Sequence, residues 1–143
     1  MFNITEGSDT LDHLNQYFDH NIPKEVNLIK QTEDINSLFE KCDCFLVPSR
    51  RETFSYALAE AMLSGTPAIV SDIDGVSWSF SQDSVIVFKN EDIEDLALTI
   101  VNFINDKYYI NNDTLLKSRN FILDNYSALL WADKIIDYYK SII

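Results

Sequence analysis

Residues 48–72, PSRRETFSYALAEAMLSGTPAIVSD, leave this chain few ways to fold. A short apolar run at 44–47 precedes them, and helical spacing of Ala57, Leu58, Ala61 and Met62 runs through their middle. Ser55 is suited to cap that helix, while Gly65 followed by Pro67 stops it and launches residues 68–71 as a strand. The order strand, loop, helix, turn, strand follows. It is the repeating unit of a parallel sheet.

Two carboxylates stand out on this unit. Glu52 lies in the loop before the helix and Glu60 within it, on a stretch otherwise rich in small and apolar residues. Side chains lean toward a helix N-terminus, so Glu60 reaches back toward the first turn. There the N–H groups at about 54–57 are free donors at the positive end of the helix dipole. An anion site flanked by two carboxylates suits a phosphate core with hydroxylated rings on both sides. A nucleotide sugar has that layout.

The stretch 52–67, ETFSYALAEAMLSGTP, resembles the E-x-F-G-x-x-x-x-E-A-M-x-x-G-x-P signature of group 1, retaining, GT-B fold glycosyltransferases. By that resemblance Glu52 contacts the donor sugar in the catalytic position and Glu60 the nucleotide ribose. The backbone of Phe54, Ser55 and Tyr56 holds the diphosphate. Thr53 and Ser55 stand where the family often has Gly, adding hydroxyl donors. The resemblance implies a donor-binding domain of a transferase moving a sugar from a nucleotide diphosphate to a saccharide or lipid-linked acceptor, in polysaccharide biosynthesis. It implies no metal and no cofactor besides the donor substrate. It begins partway into the family's nucleotide-binding domain. The expected organisation is therefore one domain over 1–143, lacking the acceptor-binding N-terminal domain and the first strand of its own sheet. Residues 2–4 are expected to close up against the following strands, or a second copy to donate pairing as a homodimer or by strand exchange. The fragment alone is expected to be inactive.

Other features narrow the classes. A net charge of −12 disfavours nucleic acid and direct docking on anionic lipid, so a membrane enters only indirectly. The N-terminus lacks a basic region followed by an apolar stretch, and a cytoplasmic location is expected. Cys42 and Cys44 read as reduced thiols too few for a metal cage, and His13 and His20 as surface residues. Arg50 and Arg51 lie in the loop with Glu52, where a solvated charge pair is the plainer reading.

Along the chain, strands are expected at 2–4, 26–29, 44–47, 68–71 and 85–88. Helices are expected at about 9–19, 32–41, 55–64, from Asn90 or Asp92 onward, 113–124 and 127–141. The helix after the last strand should turn Ile93, Leu96, Ala97, Ile100, Val101 and Ile104 inward. Asp72 to Gly75 reads as a turn at the ligand-binding edge of the sheet, with Gly75 allowing close backbone approach, and Trp78 as a packing residue. The fold class is α/β, a Rossmann-like three-layer α/β/α with a parallel sheet. Two other readings compete. One is a non-catalytic binding or scaffold subunit completing a separate acceptor-domain polypeptide. The other, weaker, is a receiver-like domain using Asp72 and Asp74.

Overall fold

The computed structural model describes residues 2–5, 9–30 and 34–142. Strands β1 (Phe2–Thr5), β2 (Val26–Ile29), β3 (Phe45–Val47), β4 (Ala68–Ser71) and β5 (Val85–Phe88) alternate with helices α1 (Thr10–Tyr17), α2 (Ile35–Phe39), α3 (Tyr56–Leu63) and α4 (Ile93–Ile104). Helices α5 (Asn112–Tyr126) and α6 (Ala128–Ser141) close the chain. The expected start of the second helix at Thr32 lies outside the described residues.

The chain divides into two compact units, Met1–Ile35 and Asn36–Ile143. In the first, β1 pairs in parallel with β2, from Phe2 opposite Val26 to Thr5 opposite Ile29. In the second, β3, β4 and β5 form a three-stranded parallel sheet with β4 in the centre. One continuous sheet was the expectation. Among the described residues no ladder joins the two sheets, and the ladder of residues 2–5 is with β2.

The second unit is built in three layers. Every residue of β4 is buried, because a central parallel strand is covered on both faces. Its side chains alternate between two clusters. Ala68 and Val70 join Val47, Leu58, Met62, Val76, Val85 and Ile122 on the face covered by α3 and α5. Ile69 joins Ile86 and Phe88 on the other face, with Leu46, Leu96, Ile100 and Phe103 packed against them. This is the α/β/α arrangement expected.

Local chemistry sets the helix ends. Ser55 caps α3 by accepting from the Leu58 N–H at 3.4 Å. At the far end Gly65 adopts φ +76°. Its N–H donates to the Met62 carbonyl and that of Thr66 to the Ala61 carbonyl. That pair of bonds is a Schellman turn, which a residue without Cβ closes most cheaply. The buried Thr66 hydroxyl then donates to the Phe39 carbonyl at 2.9 Å, tying the turn to the end of α2.

Helix α4 corrects one expectation. Asp92 caps it, accepting from the Asp95 N–H at 3.0 Å, and Asp95 accepts from the Lys89 N–H at 2.7 Å. With its start held there, Leu96, Thr99, Ile100 and Phe103 turn toward the sheet. Ile93, Ala97, Val101 and Ile104, expected inward, are exposed, Ile93 by 82%. The helix carries apolar residues on two sides, and periodicity alone does not say which side meets the sheet. On α6 no residue is buried, and Leu129, Trp131 and Tyr138 are exposed.

Candidate functional site

The carboxyl ends of β3 and β4 carry an open cleft of about 470 Å³ lined by Arg50, Arg51, Glu52, Asp72, Ile73 and Asp74. This is where a parallel α/β sheet normally offers its ligand crevice. A smaller hollow of about 210 Å³ adjoins the end of β5 and the start of α4, and Arg50 lines both.

Two devices hold the cleft's walls. The buried Ser71 hydroxyl, at the end of β4, donates to the Ser49 carbonyl at 2.6 Å and so ties that strand to the loop after β3. Beyond it the expected turn begins a 3-10 helix, Asp74–Ser79. There Gly75 is buried against Glu52: a Cβ would overlap the Glu52 carbonyl and stand 2.6 Å from the Glu52 Cβ. The close approach expected of Gly75 is therefore an approach to Glu52. A Ser49 hydroxyl donates to the Glu52 carboxylate at 3.2 Å, leaving the rest of that group to solvent.

The motif residues on α3 divide by face. Leu58, Ala59, Ala61 and Met62 are buried, whereas Tyr56, Ala57 and Glu60 share the exposed face. Tyr56 is 75% exposed. Among the described residues the N–H groups of Tyr56 and Ala57 have no acceptor, so the first turn presents two free donors. Ser55 is buried, and its oxygen is engaged as the expected cap. Of the five predicted site residues, the cleft lining includes Glu52. Glu60 lies one turn along the exposed face of α3 from Tyr56.

Trp78 packs. Its ring stacks on Phe54 with centroids 4.9 Å apart and planes at 17°, while Tyr126 tilts against both. Its indole N–H donates to the Gly75 carbonyl at 3.1 Å. This aromatic group fixes the segment between Glu52 and Ser55 from behind. Arg50 and Arg51 make no ion pair with a described residue, so their charges are open to a ligand on the cleft wall. Adjacency to Glu52 was the available signal for them. Cys44 is half-buried, and burial pushes its thiol up to about 12, which keeps it protonated and unreactive. No helix among the described residues is long and apolar enough to cross a membrane.

Known proteins share this chain's sequence pattern and fold. The chain is 29% identical over 131 residues to UDP-Gal:alpha-D-GlcNAc-diphosphoundecaprenol alpha-1,3-galactosyltransferase of Escherichia coli, covering 90% of this chain and 33% of that one. Its fold is similar to that of sucrose-phosphate synthase from Thermosynechococcus elongatus, with TM-score 0.82 and 20% identity over 98% of this chain and 38% of that one. It is similar too to Anabaena Alr3699/HepE in complex with UDP, with TM-score 0.75 and 19% identity over 93% of this chain and 37% of that one. The chain thus spans about a third of the length of these relatives. The family model of group 1 glycosyl transferases matches residues 8–139, and the chain belongs to that family, with its Rossmann-like fold.

Proposed function

We propose that this chain is the donor-binding part of a retaining glycosyltransferase and holds a nucleotide diphosphate sugar. The observation that carries the reading is the first turn of α3. The free N–H groups of Tyr56 and Ala57 sit between Glu52 at the cleft and Glu60 on the same exposed helix face. In this reading Glu52 orients the sugar, Glu60 accepts hydrogen bonds from the ribose hydroxyls, and the backbone of Phe54, Ser55 and Tyr56 receives the diphosphate. An acceptor oxygen attacks the anomeric carbon as the bond to the diphosphate breaks, and the helix N-terminus stabilises the charge that departs. The acceptor, a saccharide or lipid-linked saccharide of a polysaccharide pathway in the cytoplasm, would be held by a separate N-terminal domain. Anabaena Alr3699/HepE, whose fold this chain shares, is in complex with UDP, which supports a nucleotide as the ligand.

The test is calorimetric titration with UDP, GDP and their sugar conjugates, on the wild-type chain and on Glu60→Ala. Binding of one nucleotide that weakens by about tenfold or more in Glu60→Ala, the scale of a charged hydrogen bond, supports the assignment. No binding by either nucleotide would overturn it for this chain.

A further inference from the structure

The cleft carries more chemistry than its motif carboxylate, Glu52, accounts for. Asp72 and Asp74 line it together with Arg50, Arg51 and Glu52. Asp74 opens the 3-10 helix, and its neighbour Gly75 is seated on the Glu52 backbone. The carboxylates of Asp74 and Glu52 are therefore borne by two segments in direct contact, one after β4 and one after β3. The bond from Ser71 to the Ser49 carbonyl fixes the same two segments a second time. Among the described residues nothing donates to the Asp74 carboxylate, and neither arginine is ion-paired.

The Asp74 carboxylate and the two guanidinium groups, with the remaining acceptor capacity of Glu52 beside its bond from Ser49, form on this braced wall a donor and acceptor set for neighbouring hydroxyls. A carboxylate accepts from two hydroxyls at once, and a guanidinium donates in a planar fork. The charges select further. Three carboxylates against two guanidinium groups line the cleft. An acidic ring would bring another carboxylate to that wall, whereas a neutral ring pays no such repulsion.

We propose that this cleft receives the transferred ring of the donor as a neutral hexose, and that Asp74 is a specificity-determining residue that reads its hydroxyls beside Glu52. The inference rests on the donor-site reading above and adds the class of sugar and a further residue. Asp74 is placed by the Gly75–Glu52 contact, not by the motif that contains Glu52 and Glu60.

The experiment titrates the wild-type chain, Asp74→Asn and Asp74→Ala with UDP, UDP-glucose, UDP-galactose and UDP-glucuronic acid, and with GDP and GDP-mannose. For the nucleotide that binds, Asp74→Asn should leave the affinity of the bare diphosphate within about twofold. It should weaken the preferred neutral-hexose conjugate by about tenfold, as expected for a lost hydrogen bond to a charged group. With UDP as that nucleotide, the preference between the glucose and galactose conjugates narrows, and UDP-glucuronic acid binds the wild type no tighter than UDP. An unchanged melting temperature separates these effects from misfolding. Wild-type affinity for the hexose conjugates in both variants would overturn the proposal. So would equal losses for bare and conjugated nucleotide, or tighter binding of the glucuronic acid conjugate than of either hexose conjugate. Failure of the donor-site reading looks different: neither UDP nor GDP binds the wild type, and the role of Asp74 falls with it.

Discussion

The two units use the same alternation of parallel strands and helices and reach different degrees of burial. In Asn36–Ile143, α3 buries four residues and β4 buries all of its own. In Met1–Ile35, no residue of α1 is buried, and every residue of β2 is only half-buried. The patterns of apolar residues are comparable, with Leu11, Leu14 and Phe18 marking one side of α1 much as Leu58 and Met62 mark α3. What differs is cover. A parallel strand is stabilised when other strands flank it and helices lie on both faces, and among the described residues of the first unit two strands with one helix do not supply that. Amphipathic pattern is thus a request for a core, and neighbours decide whether it is met.

The comparison breaks most directly at its two ends. Leu58→Ala removes a side chain with no exposure from the heart of the larger core and should cost about 2–5 kcal/mol in denaturant unfolding. Leu14→Ala, at a half-buried position, should cost under about 1 kcal/mol. Equal costs would mean that the smaller unit has a core of comparable depth. Next in size is Gly75→Ala, whose added Cβ must push the Glu52 backbone aside. A loss of about 1–3 kcal/mol is expected, with weaker nucleotide-sugar binding in the same titration. A stable variant with wild-type binding would show that the two loops move independently.

Smaller effects sharpen the picture at the helix ends. Ser55→Ala leaves the Leu58 N–H unpaired at a buried cap and should lower stability by about 1 kcal/mol, readable as a drop in melting temperature. The smallest effect is expected at Asp92, whose carboxyl is held below its ordinary 3.8, first by the Asp95 N–H and then by Lys89. Because the folded value lies below the unfolded one, the stabilisation is fully present above the ordinary value. It is lost as pH falls through the lower folded value. Asp92→Ala should therefore melt lower than wild type at pH 7, and the gap should close in acid. A gap that persists unchanged below the carboxylate range would assign the effect to something other than the charge of Asp92.

Much of the site's frame was legible before any coordinates, because it depends on neighbours in sequence. A serine at the N-cap, a helical run of small and apolar residues, and a glycine then a proline after it act within a few residues. These signals located α3 and the strands on either side, and with them Glu52 and Glu60. The cap of α4 was expected at Asn90 or Asp92 for the same reason, and it is Asp92. Trp78 was expected to pack, but its partners Phe54 and Tyr126, 24 and 48 residues away, follow from the fold.

What the amino-acid sequence determined by itself is the unit of strand, loop, helix, turn and strand, the α/β class and the family motif, since each rests on local propensity and short spacing. Only the tertiary structure decided which side of α4 meets the sheet, that the strands fall into two sheets, and that Asp72 and Asp74 share a cleft with the loop of Glu52. Those outcomes depend on surfaces brought together from distant parts of the chain, where Gly75 meets Glu52 and Ser71 reaches Ser49. Periodicity carries no record of such meetings, because close packing selects among faces that look equally apolar along the sequence.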